Sequence, residues 1–381
     1  TSLPVSGVAT ATVSFAPSAL GMQTAVLAID NDTTDNPYQL NLTGSGLEPG
    51  DISLNAASIS WQGVYGNTNI ADGTYMITNS GNASLDYAIE TTYGTGPGGW
   101  YSQSMTTGDL AAGSAIWFTG TVDTAGMDAG VYYATNTITS SNAVNSPQSI
   151  ALQLTLLRAP QSITFASIAD QVATNALTLS ASATSGASVT FAVESGPATI
   201  GDGTNLTFTG AGTVSIVASQ AGNANWEAAP NVTRTFNVTH ADADVTLLGL
   251  VQTYDGAACT VTAETVPEGL TVNITYDGST IVPVNAGSYA VTGVVDNAIY
   301  AGSVGGTLVV APKALTVSSA VAADKPYDGG TDATISGATL VGVVSGDGVF
   351  LSDDTAGTFA QAGIGVDISV GTAMSIVGSD A

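Results

Sequence analysis

The residues with the clearest capacity for chemistry are oxygen donors crowded into one short turn. Asp30, Asn31, Asp32, Asp35 and Asn36 lie between two strand-like segments. Carboxylate and amide oxygens at this density suit Ca²⁺. Asp and Asn also favour turns through their own hydrogen bonding, so an ordinary turn is the competing interpretation.

We carry Asp30, Asp32 and Asp35 forward as candidate calcium ligands. Asp242 and Asp244 are a weaker candidate, in a stretch predicted to join two domains, where a metal ion would stiffen the joint. No EF-hand pattern accompanies either group. The sequence therefore predicts no required cofactor, and calcium is the one ion for which it offers ligands.

Aromatic side chains offer a second kind of chemistry, the stacking of a flat ring on a sugar. Trp100 and Tyr101 follow the run G-T-G-P-G-G, which predicts a hairpin tip where a ring would be exposed. The competing and favoured interpretation packs Trp100 against its own domain. The other large aromatic residues are expected in domain cores: Trp61, Trp117 with Phe118, and Trp226 as a cap.

Catalytic patterns are absent from the sequence. His240 is the single histidine and falls in a predicted joint, where a solvated side chain is the usual role. Cys259 is the single cysteine, so no intrachain disulfide exists, and it is predicted to be a small buried strand residue. No Ser-His-Asp, Cys-His, HExxH, CxxC or P-loop arrangement is present. We predict that the chain is not an enzyme.

Charge narrows the range of partners. The chain has 30 acidic residues against four basic ones, which gives a formal net charge of −26. Such a surface repels nucleic acid and anionic membranes, because nothing is available to neutralise phosphates. No apolar run approaches the ~20 residues that a membrane helix needs, so no membrane insertion is expected. Other copies or flanking domains of the same protein, and surface glycans, remain as predicted partners.

The elements that must position these residues are β-strands. Between residues 160 and 239, apolar side chains alternate with Thr and Ser, which puts them on one face of each strand. Gly and Asn clusters interrupt the pattern roughly every 8–12 residues, as in antiparallel sandwiches. No helical periodicity of useful length occurs. The alternating set includes Leu177, Leu179, Val189, Phe191, Val193, Leu206, Phe208, Val214 and Ile216.

The stretch T-S-G-A-S-V-T-F-A-V-E-S-G-P-A and the loop Q-A-G-N-A-N-W make residues 160–239 resemble a bacterial immunoglobulin-like repeat. The resemblance implies a β-sandwich without catalytic residues. Residues 1–47 carry F-A-P-S-A-L-G, an acidic turn and L-T-G-S-G, and resemble the C-terminal part of a Hydin-like immunoglobulin module. Residues 48–157 repeat that order, with the hairpin T-N-S-G-N-A-S-L-D-Y, and look like a complete relative.

Residues 1–47 are predicted to contribute about three strands where such a module usually has seven. Three strands do not close a sandwich, so an open edge and an exposed core face are expected there. The inward-facing set of this sheet is taken from Val13, Phe15, Val26, Leu27, Ile29, Leu40 and Leu42.

Two further resemblances cover the rest of the chain. Paired Y-D-G turns and the hairpin N-A-G-S-Y make residues 245–312 resemble the MBG family of immunoglobulin-like domains. Asp-Gly suits tight hairpins, because glycine takes positive φ without steric cost. The segment A-L-T-V-S-S-A-V-A-A-D-K-P-Y-D-G makes residues 313–381 similar to the YDG domain, without the final strand that the family is expected to have.

The fold class predicted is all-β: tandem immunoglobulin-like sandwiches in an extended rod. The function predicted is a non-enzymatic, multi-domain spacer of a large extracellular protein at the bacterial cell surface, adhesin-like or filament-forming. The chain is expected to be a piece of that longer protein, since it begins directly before strand-like sequence. Two alternatives stay open: a carbohydrate-binding accessory region of a secreted enzyme, and a filament subunit assembled by strand donation.

Overall fold

The computed structural model describes residues 6–34 and 36–379. Within these ranges the chain forms β-strands and connecting turns, and no helix occurs. This confirms the predicted all-β class of immunoglobulin-like sandwiches. The chain divides into two compact units. One comprises the residues up to Thr164 with Ala181–Val189 and Ser219–Val232, and the other comprises Phe165–Ser180, Thr190–Ala218 and the residues from Thr233 onward.

The N-terminal segment forms a single hairpin. Strands β1 (Gly21–Ile29) and β2 (Tyr38–Gly46) pair antiparallel, with Gly21 opposite Gly46 and Ile29 opposite Tyr38. Of the three strands predicted in residues 1–47, the one at A-T-A-T-V-S-F, residues 9–15, is wrong: this stretch is irregular. Phe15 instead lies over Gly44, where an added Cβ would come within 2.6 Å of the phenyl ring. The segment covers the hairpin with a side chain rather than pairing its backbone.

Apolar side chains of this hairpin and of the segment before it lie in solvent. Of the predicted inward set, five are exposed: Val13, Phe15, Val26, Ile29 and Leu40. Leu27 and Leu42 are half-buried.

Residues 48–157 form a sandwich of two sheets. The first sheet has the order β4-β11-β10-β6-β8, and the second has the order β3-β5-β9-β7. The strands are β3 (Ile52–Leu54), β4 (Ser58–Val64), β5 (Gly73–Asn79), β6 (Leu85–Tyr93), β7 (Tyr101–Gln103), β8 (Thr107–Leu110), β9 (Ala115–Val122), β10 (Gly130–Thr139) and β11 (Gln148–Leu157).

The core of this sandwich follows from alternation along its strands. Tyr75 and Phe118, from neighbouring strands of one sheet, are fully buried and stack at 5.0 Å between ring centroids. Tyr87, from the other sheet, meets Phe118 edge to face. Buried aromatic rings in such geometries add to the stability gained from area burial alone. The last strand, β11, pairs in parallel with β4, which closes the first sheet.

Residues 160–239 contribute three sheets: β12-β15, β13-β20-β19-β16 and β14-β18-β17. Leu206, Phe208, Val214 and Ile216 are buried while their neighbours are more exposed, which confirms the predicted alternation. The strands are β12 (Ile163–Phe165), β13 (Gln171–Val172), β14 (Ala176–Thr178), β15 (Ala181–Ala183), β16 (Thr190–Ser195), β17 (Ala198–Gly201), β18 (Asn205–Phe208), β19 (Gly212–Ser219) and β20 (Val232–Thr239).

Residues 241–311 form the next module around a four-stranded sheet of order β23-β28-β26-β25. Its core includes Cys259, which is buried as predicted but lies between β23 and β24 rather than in a strand. The core also includes Tyr276, whose hydroxyl accepts from the Val261 N–H at 2.8 Å. The strands are β21 (Ala241–Asp242), β22 (Asp244–Leu248), β23 (Val251–Thr253), β24 (Thr262–Val266), β25 (Val272–Tyr276), β26 (Gly287–Val295), β27 (Tyr300–Ala301) and β28 (Ser303–Ala311).

The last module has the smallest core. Its main sheet has the order β30-β31-β34-β35, and its buried hydrophobic residues in the described part are Ala333 and Ile335. The strands are β29 (Thr316–Ser318), β30 (Val321–Ala322), β31 (Asp332–Ser336), β32 (Thr339–Val341), β33 (Val349–Ser352), β34 (Ala356–Phe359), β35 (Val370–Thr372) and β36 (Ser375–Gly378).

Candidate functional site: the joints between modules

The most specific polar contacts outside the cores lie where one module meets the next. At the first joint, the loop before β20 reaches back to the 48–157 sandwich. Asn225 accepts through Oδ1 from the Ala129 N–H at 2.8 Å and donates through Nδ2 to Asp128 Oδ1 at 2.7 Å. One amide side chain thus uses both its acceptor and its donor on the neighbouring module.

The loop that presents Asn225 is held by its own backbone. Asn223 Oδ1 accepts from the N–H groups of Asn225 at 2.8 Å and of Trp226 at 3.0 Å. Gly222 has φ of +77°, and an added Cβ there would stand 2.5 Å from the Trp226 carbonyl oxygen. Glycine is needed at this position both for its backbone angle and for the close approach.

The linker and an aromatic contact complete the first joint. The Ala159 N–H donates to the Asn225 carbonyl, and the Glu227 N–H donates to the Ala159 carbonyl, both at 2.9 Å. Trp226 meets Tyr65 edge to face at 5.9 Å between ring centroids. Trp226 was predicted as a core cap. It is instead half-buried and contacts the preceding module, because the loop that carries it lies against that module.

The second joint repeats this loop chemistry. In the run N-A-I-Y, Asn297 Oδ1 accepts from the N–H groups of Ile299 at 2.8 Å and of Tyr300 at 3.0 Å. The Ala298 carbonyl then accepts from the Ala211 N–H of the preceding module at 3.0 Å. The linker pairs in parallel with the aromatic residue, as Ala241 does with Tyr300. The sequence N-A-x-aromatic therefore forms the same loop at both joints.

The polar side chains of the second linker lie in solvent, although the backbone of Asp242 belongs to the parallel pair and lies opposite Ala301. His240, Asp242 and Asp244 are exposed, while Ala243 between the two aspartates is buried. The Ala243 N–H donates to the Ala301 carbonyl at 2.9 Å. Backbone hydrogen bonds therefore already restrain the linker where a metal ion was considered.

The third joint is built from a Y-D-G turn. The Tyr254 hydroxyl donates to Asp347 Oδ1 of the last module at 2.6 Å. Gly256 has φ of +85°, and an added Cβ would come within 2.5 Å of Val344 Cγ1. A cavity of about 510 Å³ opens beside this contact, and Lys313 is among its lining residues.

The second Y-D-G sequence has a different role. Asp277 and Gly278 both have positive φ, of 51° and 80°, as in a type I′ hairpin turn. This turn is closed by a bridge between Tyr276 and Ser279 and begins the longer connection from β25 to β26, and Tyr276 lies in the core. The prediction that both Y-D-G sequences form hairpins is therefore right for residues 276–278 and wrong for residues 254–256.

The candidate calcium turn is organised by hydrogen bonds of its own. Asn36 Oδ1 accepts from the Asn31 N–H at 2.7 Å, and Asn31 Oδ1 accepts from the Thr33 N–H at 2.9 Å. Within residues 6–34 and 36–379, no three His, Cys, Asp or Glu side chains are grouped so that they could hold a metal. Asp35 lies outside the described residues, so calcium binding by Asp30, Asp32 and Asp35 stays a prediction.

Trp100 packs against its own domain, as the favoured interpretation predicted, and the alternative of exposed rings at a hairpin tip is wrong for both Trp100 and Tyr101. Their exposed fractions are 3% and 5%, and they form an aromatic cluster with Trp61 and Tyr93. The glycine-rich run before them bends the chain so that these rings turn inward. Neither ring offers a free face to a sugar.

The prediction that Trp117 lies in the core is also wrong. It was expected in the core with Phe118, but 58% of it is exposed while Phe118 is fully buried. Neighbouring residues of a strand point to opposite faces, so only one of two adjacent aromatics can face the core. Phe118 takes the inward position because it stacks on Tyr75.

Sequence reasoning missed a buried polar network in the 48–157 sandwich. Gln103 Oε1 accepts from the Tyr75 hydroxyl at 2.9 Å, from the Tyr101 hydroxyl at 3.1 Å and from Asn136 Nδ2 at 2.9 Å. Asn136 Oδ1 accepts from Thr91 Oγ1 at 2.7 Å. Desolvation raises the pKa of both tyrosines, which keeps them protonated as donors. A polar Asn in the apolar alternation of β10 was the available signal.

Comparison with protein families addresses the C-terminal part of the chain. Residues 243–314 match the MBG domain, and residues 311–381 match the YDG domain. The resemblance to MBG and YDG repeats is thereby confirmed. The third joint lies between these two matched segments, so it links an MBG-type module to a YDG-type module. The Hydin-like and bacterial immunoglobulin-like resemblances stay predictions.

No curated protein matches the chain. Among solved structures, the human desmocollin-1 ectodomain is 14% identical, with 84% of this chain and 74% of that chain covered and a TM-score of 0.25. Drosophila N-cadherin EC1-4 is 13% identical, with 77% and 83% covered and a TM-score of 0.24. A PapD-like domain of human CEP192 is 14% identical, with 29% and 87% covered and a TM-score of 0.23. These low scores carry no functional argument. No membrane-spanning helix is found in the described part of the chain.

Proposed function

We propose that this chain is a non-enzymatic spacer of an extracellular bacterial surface protein, in which successive immunoglobulin-like modules are joined so that bending is limited. The observation that carries the proposal is that every joint described above holds its neighbour through specific hydrogen bonds. Asn225 binds the preceding module through both ends of its amide, and Tyr254 donates to Asp347 of the following module. The MBG and YDG matches support a repeat-type surface role.

The mechanism of such a spacer is mechanical. Each module adds length, and each joint restricts the angle to the next because a swing would break its hydrogen bonds. The net charge of −26 disfavours lateral association between neighbouring chains through self-repulsion. Neither role requires a bound cofactor or a reaction.

Small-angle scattering of the full chain tests the extended arrangement. A compact chain of this length would have a radius of gyration of roughly 21 Å by the scaling for globular domains. We expect a value well above this. A value near the compact expectation would refute the spacer.

A joint variant tests the limited bending. Asn225→Ala removes both contacts with Asp128 and Ala129, so we expect a broader distribution of interatomic distances than in the natural chain. The matched control is Asn41→Ala, an exposed strand position away from the joints. Equal distributions for the two variants would show that the Asn225 contacts do not limit bending.

Strand donation is a second candidate, favoured by one observation. Residues 6–46 form a two-stranded sheet whose apolar side chains include exposed Val26, Ile29 and Leu40. An added strand would satisfy the edge hydrogen bonds and cover this face together. Head-to-tail polymers that resist denaturant would support strand donation, and a chain that stays monomeric at high concentration would refute it.

A further inference from the structure

The third Y-D-G sequence, residues 327–329, lies in the YDG module and corresponds in sequence order to residues 254–256, which form the third joint from the MBG module. Near its start each module has a pair of short strands, β22 and β23 in one and β29 and β30 in the other. Y-D-G follows the second of these strands in both, at residues 254–256 and 327–329. The two turns share their place in the order of elements, although β23 pairs in parallel with the last strand, β28, and β30 pairs antiparallel with the next strand, β31.

The two turns also share their internal geometry. Asp255 Oδ1 accepts from the Ala257 N–H at 2.9 Å, and Asp328 Oδ1 accepts from the Gly330 N–H at 2.9 Å. The glycines have φ of +85° at Gly256 and +75° at Gly329. The hairpin turn at residues 276–278 lacks this pattern, because Asp277 itself has positive φ. The likeness is therefore specific to the two turns that follow these pairs of short strands.

The turns at residues 254–256 and 327–329 differ in their contacts with a neighbouring module. At Gly256, the position of an added Cβ is contacted by Val344 of the next module, and Tyr254 donates to Asp347. At Gly329, nothing lies within 4 Å of the same position. Tyr327 is 69% exposed.

The open turn borders a large apolar and polar recess. A cavity of about 600 Å³ is lined by Tyr327, Lys325 and the loop that carries Ile364 and Val366. Val366 is 91% exposed. Lys325 is one of only four basic residues in the chain, and its Nζ lies 3.0 Å from Asp328 Oδ1. Asp324, Asp328 and Asp367 also line this cavity and Asp328 already pairs with Lys325, so the Tyr327 hydroxyl and the exposed aliphatic side chains, rather than charge, are what this surface offers a partner.

We propose that the surface formed by Tyr327, Gly329 and the loop of residues 360–368 binds a further module of the YDG type. The partner's loop would present an aspartate to the Tyr327 hydroxyl and an aliphatic side chain to Gly329, as Asp347 and Val344 do at the preceding joint. The inference rests on the proposed function, because it extends the third joint to a new position. It identifies the partner by the chemistry that already occupies the equivalent turn.

A graft within the chain tests whether the sequence around the turn at residues 327–329 can bind a YDG module. Residues 252–257, Q-T-Y-D-G-A, are replaced by K-P-Y-D-G-G from residues 325–330. A thiol probe, Val344→Cys, reports the joint through its rate of reaction with a thiol reagent. Natural Cys259 is buried and gives a slow background. We expect Val344→Cys to stay protected at least tenfold relative to Val8→Cys, a position that is 93% exposed.

An added module tests the open surface directly. Residues 313–381 are repeated after Ala381, and Val366→Cys is placed only in the first copy. We expect its reaction to slow at least tenfold when the module is added, and Tyr327→Phe in the same fusion to restore most of the rate. Ala333→Cys in the added copy, at a buried position, reports whether that copy has folded.

The outcomes separate the inference from the function on which it rests. If Val344→Cys in the ungrafted chain reacts as fast as Val8→Cys, the third joint and the proposed spacer both fail. If that probe is protected but the graft exposes it, the inference alone is overturned. A folded added copy that leaves Val366→Cys unprotected overturns the inference as well. An added copy that does not fold leaves the decision to the graft.

Discussion

Removal of Asn136 should destabilise the 48–157 sandwich far more than removal of the Tyr75 hydroxyl, although both belong to one buried network. Asn136→Ala deletes the acceptor of Thr91 and the donor to Gln103 and Tyr101, which are three hydrogen bonds of 2.7, 2.9 and 3.2 Å, together with a long one of 3.5 Å to the Tyr75 hydroxyl. At about 1 kcal/mol for each of the three shorter hydrogen bonds, the free energy of unfolding should fall by about 3 kcal/mol, and by more because buried polar groups are left unpaired.

Tyr75→Phe is the matched comparison. It deletes the hydrogen bond to Gln103 Oε1 and a long one, of 3.5 Å, from Asn136 Nδ2, and the Gln103 oxygen still accepts from Tyr101 and Asn136. The ring keeps its stack on Phe118, so the expected loss is about 1 kcal/mol.

Urea unfolding followed by tryptophan fluorescence measures both variants. Trp61, Trp100 and Trp117 all lie in this sandwich, and Trp226 alone lies outside it. The signal therefore reports mainly on the module that carries the network. The two variants could lose equal free energy of unfolding, or Asn136→Ala could lose less than about 1 kcal/mol. Either result would refute the reasoning that buried groups left unpaired determine the loss of stability.

Two further predictions concern charge. Hydrogen bonds from Ser141 and Ser140 lower the pKa of the Asp86 carboxyl. Its contribution to the stability of the fold is therefore present above the unfolded pKa of about 4 and is lost as the pH falls through the lower folded pKa. Acid unfolding of Asp86→Asn should lack this component, and a midpoint pH of acid unfolding equal to that of the natural chain would contradict the assignment. Calcium binding by Asp30, Asp32 and Asp35 predicts that a chelator lowers the melting temperature and that Asp32→Ala abolishes this difference; a melting temperature indifferent to the chelator would leave an ordinary turn organised by Asn31 and Asn36.

The sequence predicted the fold class because alternation is a local property. A period of two in β18 and β19 identifies their buried faces without knowledge of the partner strands. The phase of the alternation was harder to predict where two aromatics adjoin, as at Trp117 and Phe118. Which of them faces inward depends on Tyr75, which lies on a neighbouring strand.

The contacts at the joints could not be predicted from local sequence patterns, because they also depend on residues that are distant in the sequence. Asn225 and Asp128 are distant in sequence, and nothing in either neighbourhood specifies that they meet. The loop Q-A-G-N-A-N-W was predicted as a feature of its own module, although its side chains bind the preceding one. The repeat of N-A-x-aromatic at residues 297–300 is visible in the sequence, but its meaning emerges only when both loops are seen against a neighbour.

Parallel pairing near the two ends of a module has a consequence for a chain under tension. In the 48–157 sandwich, β4 lies beside the last strand, β11, with Ser58 opposite Ala151 and Val64 opposite Leu157. The same arrangement recurs between β13 and β20 and between β23 and β28. A pull on the two ends of such a module draws the paired strands past each other, so that their hydrogen bonds are loaded together in shear. Strands peeled from a hairpin would break one bond after another, whereas these must yield at once.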